Sequence, residues 1–233
     1  MPVITYIDAH AHLNSPQFEP DREAVWQKTL ATVGFHPTDQ TEEIDWTEFE
    51  TLAGGKEVVA IGECGLDLYR FEGDSTTELA RQTKIFERQI DLAVRLGKPL
   101  VIHIREAYEP AYEILKKKKA EAGEKLSFDL HFFSGTADWV EKFSALDAYF
   151  SFAGPITFTE QYDEAIARVP ADRLMAETDS PFASPVPYRG KRCEPAYVKF
   201  VAEKLLALRG WSAEEGLARL KANTERFYKI GVV

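Results

Sequence analysis

Short apolar runs alternate with amphipathic, helix-like segments along the whole chain. The apolar runs are rich in β-branched and aromatic residues and predict seven strands, at residues 3–7, 31–35, 58–61, 100–104, 127–130, 148–152 and 174–176. This alternation is typical of repeated strand–helix units around a parallel sheet. At 233 residues the chain has the length of one α/β barrel or one doubly wound domain, so we expect a single domain over residues 1–233.

Four segments show the spacing of helices. Between residues 77 and 96 apolar side chains recur every three or four positions, and Gly97 then ends the pattern. Residues 109–122 end at a glycine in the same way. Residues 195–208 predict a third helix, and a capping box at Ser212 begins a fourth that we expect to reach about Ala222.

The overall charge restricts how this chain can bind its partners. A formal net charge of −10 argues against a protein that coats nucleic acid through a broad basic surface. It does not exclude an enzyme that holds a few phosphates, because bound metal ions supply positive charge. Cys64 and Cys193 belong to no CxxC pair and are expected to be reduced thiols. Without a signal-like or long apolar segment, we expect a cytoplasmic monomer with no membrane partner.

All five histidines lie at or just past the C-terminal end of a predicted strand: His10, His12, His36, His103 and His131. In a parallel barrel these strand ends gather at one face, so the five side chains are expected to converge. His10 and His12 point to the same side because one residue separates them. A lone histidine at a strand end is more often satisfied by backbone hydrogen bonds. The pair, with Asp8 as a hydrogen-bonding partner, favours metal ligation.

Carboxylates at other strand ends extend this set. Glu63 follows a strand among apolar neighbours, where an unpaired carboxylate is costly, so we expect it to bridge two cations. Asp67 is either an acceptor for a ligand or an ordinary turn residue, and Glu177 and Asp179 follow the last strand. The resulting prediction is one ion among His10, His12, Glu63 and Asp179, and another among Glu63, His103 and His131.

Two neighbouring cations can activate a bridging water and clamp the oxygens of a phosphoryl displacement. The absence of cysteine from the set argues against a closed structural zinc site. Mixed nitrogen and oxygen ligation suits Zn or Mn and is less typical of Mg. We therefore expect two divalent ions per chain, drawn from Mg, Mn and Zn.

Eight motifs occur in a fixed order: IDAHAHL, GFHP, GECGLD, VIHIR, HFFSG, ETDSP, PYRGKRCEP and ANTERFY. Together they resemble the TatD-type metal-dependent deoxyribonucleases of the amidohydrolase superfamily. The resemblance implies a TIM-type barrel with divalent metals at the strand ends, and 3′-5′ exonuclease hydrolysis of DNA. It implies that Asp179 also orients or deprotonates the attacking water. The implied metal ligands are His10, His12, Glu63, His103, His131 and Asp179.

Substrate contacts are expected around the same face, with single-stranded or nicked DNA ends as the partner. His36 matches a family position that faces the substrate phosphate, although it is equally explained as a loop histidine fixed before a proline. Arg105, Arg189 and Lys191 suit phosphate, and each is otherwise an ordinary surface charge. Nearby aromatic residues either stack on unpaired bases or pack in the core and rim: Phe35, Tyr69, Phe132, Phe133, Phe182 and Tyr188.

The chain departs from the family pattern between Leu13 and Gly34. Only one helix-like segment, residues 21–30, fits in this interval, whereas family members carry an additional βα unit there. The barrel is therefore expected to be one βα unit short near residues 29–32. Either the chain lacks that unit, or the sequence joins residues across a missing segment. Cys193 also stands where the family has asparagine.

Two other functions are compatible with these residues. A hydrolase on the same scaffold can cleave another ester or an amide, such as the ester of a D-aminoacyl-tRNA, because loops choose the substrate. A non-catalytic metal-binding scaffold is the second alternative, and the missing βα unit is its only support.

Overall fold

The computed structural model describes residues 6–25, 29–39 and 44–231. Six parallel strands lie side by side in chain order. They are β1 (Ala31–Val33), β2 (Val58–Asp67), β3 (Leu100–Arg105), β4 (Phe128–Leu130), β5 (Tyr149–Phe152) and β6 (Leu174–Ala176). The N-terminal segment continues the barrel beside β6, where Ala9 N donates to Ala176 O at 3.1 Å. The predicted TIM-type α/β barrel is confirmed.

Helices connect the strands and follow the last one. They are α1 (Arg22–Val25), α2 (Trp46–Ala53), α3 (Ser75–Leu96), α4 (Tyr108–Ala122), α5 (Ala137–Ser144), α6 (Asp163–Arg168), α7 (Val198–Arg209) and α8 (Ala213–Tyr228). The long α3 begins where Asp74 accepts from Thr76 N and ends at Gly97, whose φ of 65° suits a residue without a Cβ. In the described part of the chain, no helix is long and apolar enough to cross a membrane.

The end of α8 differs from its prediction. The helix continues past Ala222 to Tyr228 because its last turns are tied to the barrel. Asn223 Nδ2 donates to Leu174 O at 2.8 Å, and the Tyr228 hydroxyl donates to Ala9 O at 2.7 Å. These contacts are long-range, so the local apolar pattern carries no sign of them.

The N-terminal predictions are only partly covered. Residues 3–5 and 26–28 of the predicted strand and helix lie outside the described residues, and Tyr6 and Ile7 are not in a strand. Within the described residues, Arg22–Val25 of the predicted helix are helical, and Thr29 and Leu30 are not. Within residues 6–25 and 29–39, no strand lies between the N-terminal segment and β1. This agrees with a barrel that is one βα unit short.

Alternate residues of neighbouring strands line the inside of the barrel. The register pairs Val101 of β3 with Asp129 of β4, and Asp129 with Tyr149 of β5. Side chains two residues further along face the same side, which puts His103 and His131 one layer closer to the C-terminal strand ends. The larger apolar core lies between the sheet and the surrounding helices. The interior side chains nearest the C-terminal ends of these strands are therefore polar, and they include His103 and His131.

Candidate metal centre

The strand β2 is built to present Glu63 to the barrel mouth. Instead of ending at Ile61, as predicted, it runs on to Asp67 and passes Glu63 in its middle. The β2–β3 register shifts between Ile61 and Cys64, an irregularity that re-aims a side chain. A Cβ on Gly65 would lie 2.0 Å from His103 O, so glycine is required where β3 approaches. The glycines of GECG therefore allow β2 and β3 to approach closely enough to place the Glu63 carboxylate at the barrel mouth.

Imidazole nitrogens surround both oxygens of the Glu63 carboxylate. Its Oε1 lies 2.9 Å from Nδ1 of His103, 3.1 Å from Nε2 of His131 and 3.3 Å from Nε2 of His36. Its Oε2 lies 3.3 Å from Nε2 of His12 and 3.7 Å from Nε2 of His10. All five histidines thus converge on one carboxylate, as the strand-end pattern predicts.

Asp179 completes the group on the Oε2 side. Its Oδ1 lies 3.2 Å from Nε2 of His12 and 4.0 Å from Nε2 of His10. The residue has a φ of 57°, a left-handed conformation that aspartate tolerates better than most residues. Its backbone N–H donates to His10 O at 3.1 Å, which joins the end of β6 to the N-terminal segment. One backbone hydrogen bond therefore fixes the relative positions of Asp179 and His10.

Two carboxylates contact the ring nitrogens of His131 and His103 that do not face Glu63. Glu177 Oε2 lies 2.8 Å from Nδ1 of His131, and its Oε1 accepts from Phe132 N at 2.5 Å. Asp67 Oδ2 lies 2.8 Å from Nε2 of His103. Such partners fix the tautomer and the orientation of a ligating imidazole. Asp67 is therefore more than the turn residue that one interpretation of the sequence allowed.

Asp8 has a different role from the one expected. Its carboxylate contacts no imidazole but accepts from Thr178 N at 2.8 Å and from the Thr178 hydroxyl at 2.5 Å. It also accepts from His10 N at 3.3 Å. Asp8 thus positions the backbone that carries His10 rather than the ring itself.

Neighbouring groups shift the pKa values of the cluster residues in different directions. Burial and the neighbouring His131 hold the pKa of His10 well below 6.5, so its ring is neutral at pH 7. Burial also lowers the pKa of His12, but hydrogen bonds with Asp179 and Glu63 outweigh it and raise that pKa to about 9. Burial raises the pKa of Glu63, yet the charge of His131 and the other histidines hold it well below 4.5.

The donor set fits a divalent cation. The Nε2 atoms of His10 and His12 lie 3.2 Å apart, and that of His12 lies within 3.3 Å of Glu63 Oε2 and Asp179 Oδ1. Converging imidazole nitrogens and carboxylate oxygens are the ligands that Zn and Mn prefer. Three groups have donor atoms within 4.8 Å of one another: His10 with His12 and Asp179, His36 with Glu63 and His103, and His10 with His131 and Glu177.

The residues expected to bind substrate lie at different depths. His36 belongs to the cluster itself, as the strand-end pattern predicts, and its side chain is 28% exposed. Arg105 is exposed at the end of β3, with Cζ 3.5 Å from the ring centroid of Tyr69. Arg189 and Lys191 are exposed on the loop after β6. These three cations make no ion pair with the cluster among the described residues.

The ligand set predicted from the sequence does not include Glu177. The available signal was its spacing, because Glu177 precedes Asp179 by two residues and follows a buried strand. Glu177 is fully buried, and its contact with His131 spans 46 residues of the chain. Only the assembled barrel identifies that partner.

Comparison with known proteins agrees with this geometry. The family model described as TatD related DNase matches residues 23–229. The chain is 35% identical over 259 residues to the uncharacterized metal-dependent hydrolase YabD of Bacillus subtilis, covering 96% of this chain and 98% of the relative. It is 32% identical over 213 residues to the 3′-5′ ssDNA/RNA exonuclease TatD of Erwinia tasmaniensis, covering 86% of this chain and 78% of the relative.

A solved structure gives the same picture. The crystal structure of YJJV, a TatD homolog from Escherichia coli, matches with a TM-score of 0.85 at 26% identity, covering 97% of this chain and 98% of that one. The Bacillus alignment, at 259 positions, is longer than the 233 residues of this chain, so that relative has residues lacking here. The match over most of the chain, with the cluster at the barrel mouth, shows that this protein belongs to the TatD-related DNase family of metal-dependent hydrolases.

Proposed function

We propose that this protein hydrolyses phosphodiester bonds at the ends of DNA strands, as a 3′-5′ exonuclease that uses two divalent ions. The observation that carries the proposal is the arrangement around Glu63, whose two oxygens face two separate sets of histidines. A carboxylate placed in this way suits a bridge between two cations. The Erwinia relative, named a ssDNA/RNA exonuclease, supports the choice of substrate.

We assign the proposed ligands by the oxygen of Glu63 that each histidine faces. One ion is assigned to His10, His12, Glu63 and Asp179, and the other to Glu63, His103 and His131. Ions bound there would polarise the phosphoryl group and lower the pKa of a water molecule. The ions can be Mg, Mn or Zn, and the mixed ligand set suits Mn or Zn better than Mg.

The remaining roles belong to residues that face the opening. Asp179, with its side chain 13% exposed beside His12, orients the attacking water and accepts its proton at Oδ1. His36 donates from Nε2 to the substrate phosphate. Arg105, Arg189 and Lys191 bind further phosphates of the strand through charge-assisted hydrogen bonds.

A substrate panel tests the proposal. Purified protein is incubated with Mg, Mn or Zn and a 5′-labelled single-stranded oligonucleotide, a nicked duplex, a blunt duplex and a D-aminoacyl-tRNA. We expect successive shortening of the single strand and of the nicked strand from the 3′ end, abolished by EDTA. Deacylation of the tRNA without shortening of DNA would replace the proposal with the alternative ester hydrolase. Bound metal with no turnover of any substrate would favour the scaffold.

A further inference from the structure

One aromatic side chain at the barrel mouth is half exposed. Of the aromatic residues near the motifs, Phe133 is buried, and Tyr188 stacks on Tyr197 with ring centroids 4.1 Å apart. Phe35 packs against Phe49 at 4.8 Å. Phe182, by contrast, is 50% exposed.

Phe182 stands directly beside the proposed metal ligands. Its ring centroid lies 5.9 Å from that of His12, with the planes 65° apart. Its backbone N–H donates to Asp179 O at 2.9 Å, so the turn that aims Asp179 also sets Phe182. His12 has a side chain that is 31% exposed, which makes this side of the cluster accessible to substrate.

The loop that carries Phe182 is held at several points. Cys193 N donates to Pro181 O at 3.0 Å, and the Ser184 hydroxyl donates to Lys191 O at 2.6 Å. The loop also packs against the turn after β5 so closely that a Cβ on Gly154 would lie 1.9 Å from Ala183 O. The exposed ring is therefore presented by an ordered scaffold.

The loop after β6 and the turn after β5 carry further exposed apolar and cationic side chains. Val186 N donates to the Thr157 hydroxyl at 2.9 Å, which brings Val186, 45% exposed, beside the chain that leads to Phe158. Phe158 is 37% exposed, and the Arg189 guanidinium carbon lies 4.0 Å from its ring centroid. We call Phe158, Phe182, Val186 and Arg189 the aromatic lip.

The chemistry of the aromatic lip matches an unpaired nucleic-acid strand. Flat exposed rings stack on bases of any sequence, and an arginine among them attracts the phosphates. A net charge of −10 argues against a broad basic surface that would bind nucleic acid through its phosphates alone.

We propose that Phe182 stacks on a base of the strand next to the scissile phosphate. This inference rests on the proposed nuclease function and names the feature of the substrate that it recognises. Phe182 acts on the affinity for the strand, and the cluster around Glu63 acts on the phosphodiester bond.

Two oligonucleotides test the inference. One is a thymidine strand, and the other is the same strand with its last three nucleotides lacking bases. Phe182→Ala should lower kcat/KM about 5- to 150-fold on the first, mainly through KM, and leave the second unchanged. Phe182→Trp should retain wild-type values, whereas Phe182→Leu, apolar but without a flat ring, should behave like Phe182→Ala. Leu52→Ala is the control, because Leu52 is 54% exposed on α2, away from the mouth.

A binding measurement separates this inference from the proposed function. Fluorescence anisotropy with metal-loaded protein and a strand whose 3′-terminal linkages are hydrolysis-resistant phosphorothioates should show the same loss for Phe182→Ala. Equal effects on the two strands, no effect of Phe182→Ala, or rescue by Phe182→Leu would each overturn stacking while leaving the nuclease intact. Wild-type protein that binds through Phe182 but cuts nothing would overturn the nuclease alone.

Discussion

Replacing Glu177 by glutamine tests whether the buried partner of His131 controls metal binding. The glutamate is fully buried and accepts two hydrogen bonds, from His131 Nδ1 at 2.8 Å and from Phe132 N at 2.5 Å. Glutamine has nearly the same shape but offers one oxygen and one NH2 group. One of the two N–H donors must then face another donor.

The expected loss follows from that mismatch. One hydrogen bond to a charged group contributes about 1.5–3 kcal/mol, and orienting partners of this kind change metal affinity by about 10- to 100-fold. A 10- to 100-fold change corresponds to about 1.4–2.7 kcal/mol, so the two figures agree. We therefore expect Glu177→Gln to weaken Mn binding by about 10- to 100-fold at the one proposed site that uses His131.

Isothermal titration with Mn measures the metal affinity of the variant. Thermal unfolding of the EDTA-treated protein measures its stability without metal. Glu78→Gln is the matched control, since Glu78 is a buried carboxylate on α3 that pairs with Arg81 outside the cluster. The control should lower stability without changing metal affinity. If Glu177→Gln lowered the melting temperature but bound Mn like the wild type, the assigned role of Glu177 would be refuted.

Three further changes have defined outcomes. Asp67→Asn, which weakens the carboxylate contact to His103 at 2.8 Å, should lower Mn affinity about 10- to 100-fold by titration, and an unchanged isotherm would contradict the role of Asp67. Asn223→Ala removes a hydrogen bond to Leu174 O and should lower stability by about 1–3 kcal/mol by chemical denaturation, with unchanged metal affinity of the folded protein. Burial raises the pKa of Asp129 from 3.8 to about 7, so the unfolded chain ionises this group first as pH rises. Its contribution to stability therefore falls between pH 4 and 7, by as much as about 4 kcal/mol, and is constant above. Asp129→Asn should show a shallower decline than the wild type in urea unfolding at pH 4, 5, 6 and 7, and parallel curves would contradict the assignment.

The barrel and the cluster could be predicted because their signals are local. A histidine directly after an apolar run marks the exit of a strand, and parallel strands bring their exits to one face. The spacing of His10 and His12 also predicts that both side chains project to the same side of the chain. In the structure their Nε2 atoms lie 3.2 Å apart. No contact between distant residues was needed for these inferences.

The remaining features depend on contacts across the fold. The continuation of β2 through Glu63 rests on the close approach of β3, which GECG alone does not reveal. The pairing of His131 with Glu177 joins two separate strand ends, so the local sequence does not reveal it. Exposure is equally non-local, since Phe133 and Phe182 follow similar motifs but only Phe182 faces solvent.

The most direct test of the central claim is to remove Glu63 and measure metal content and strand cleavage together. The control is Glu57→Ala, because Glu57 directly precedes β2 and its side chain is 74% exposed. We predict that wild type and Glu57→Ala hold divalent ions and shorten a single strand. Glu63→Ala should lose metal and cleave at least about 10³-fold more slowly. Wild-type metal content and an equal rate in Glu63→Ala would contradict the account.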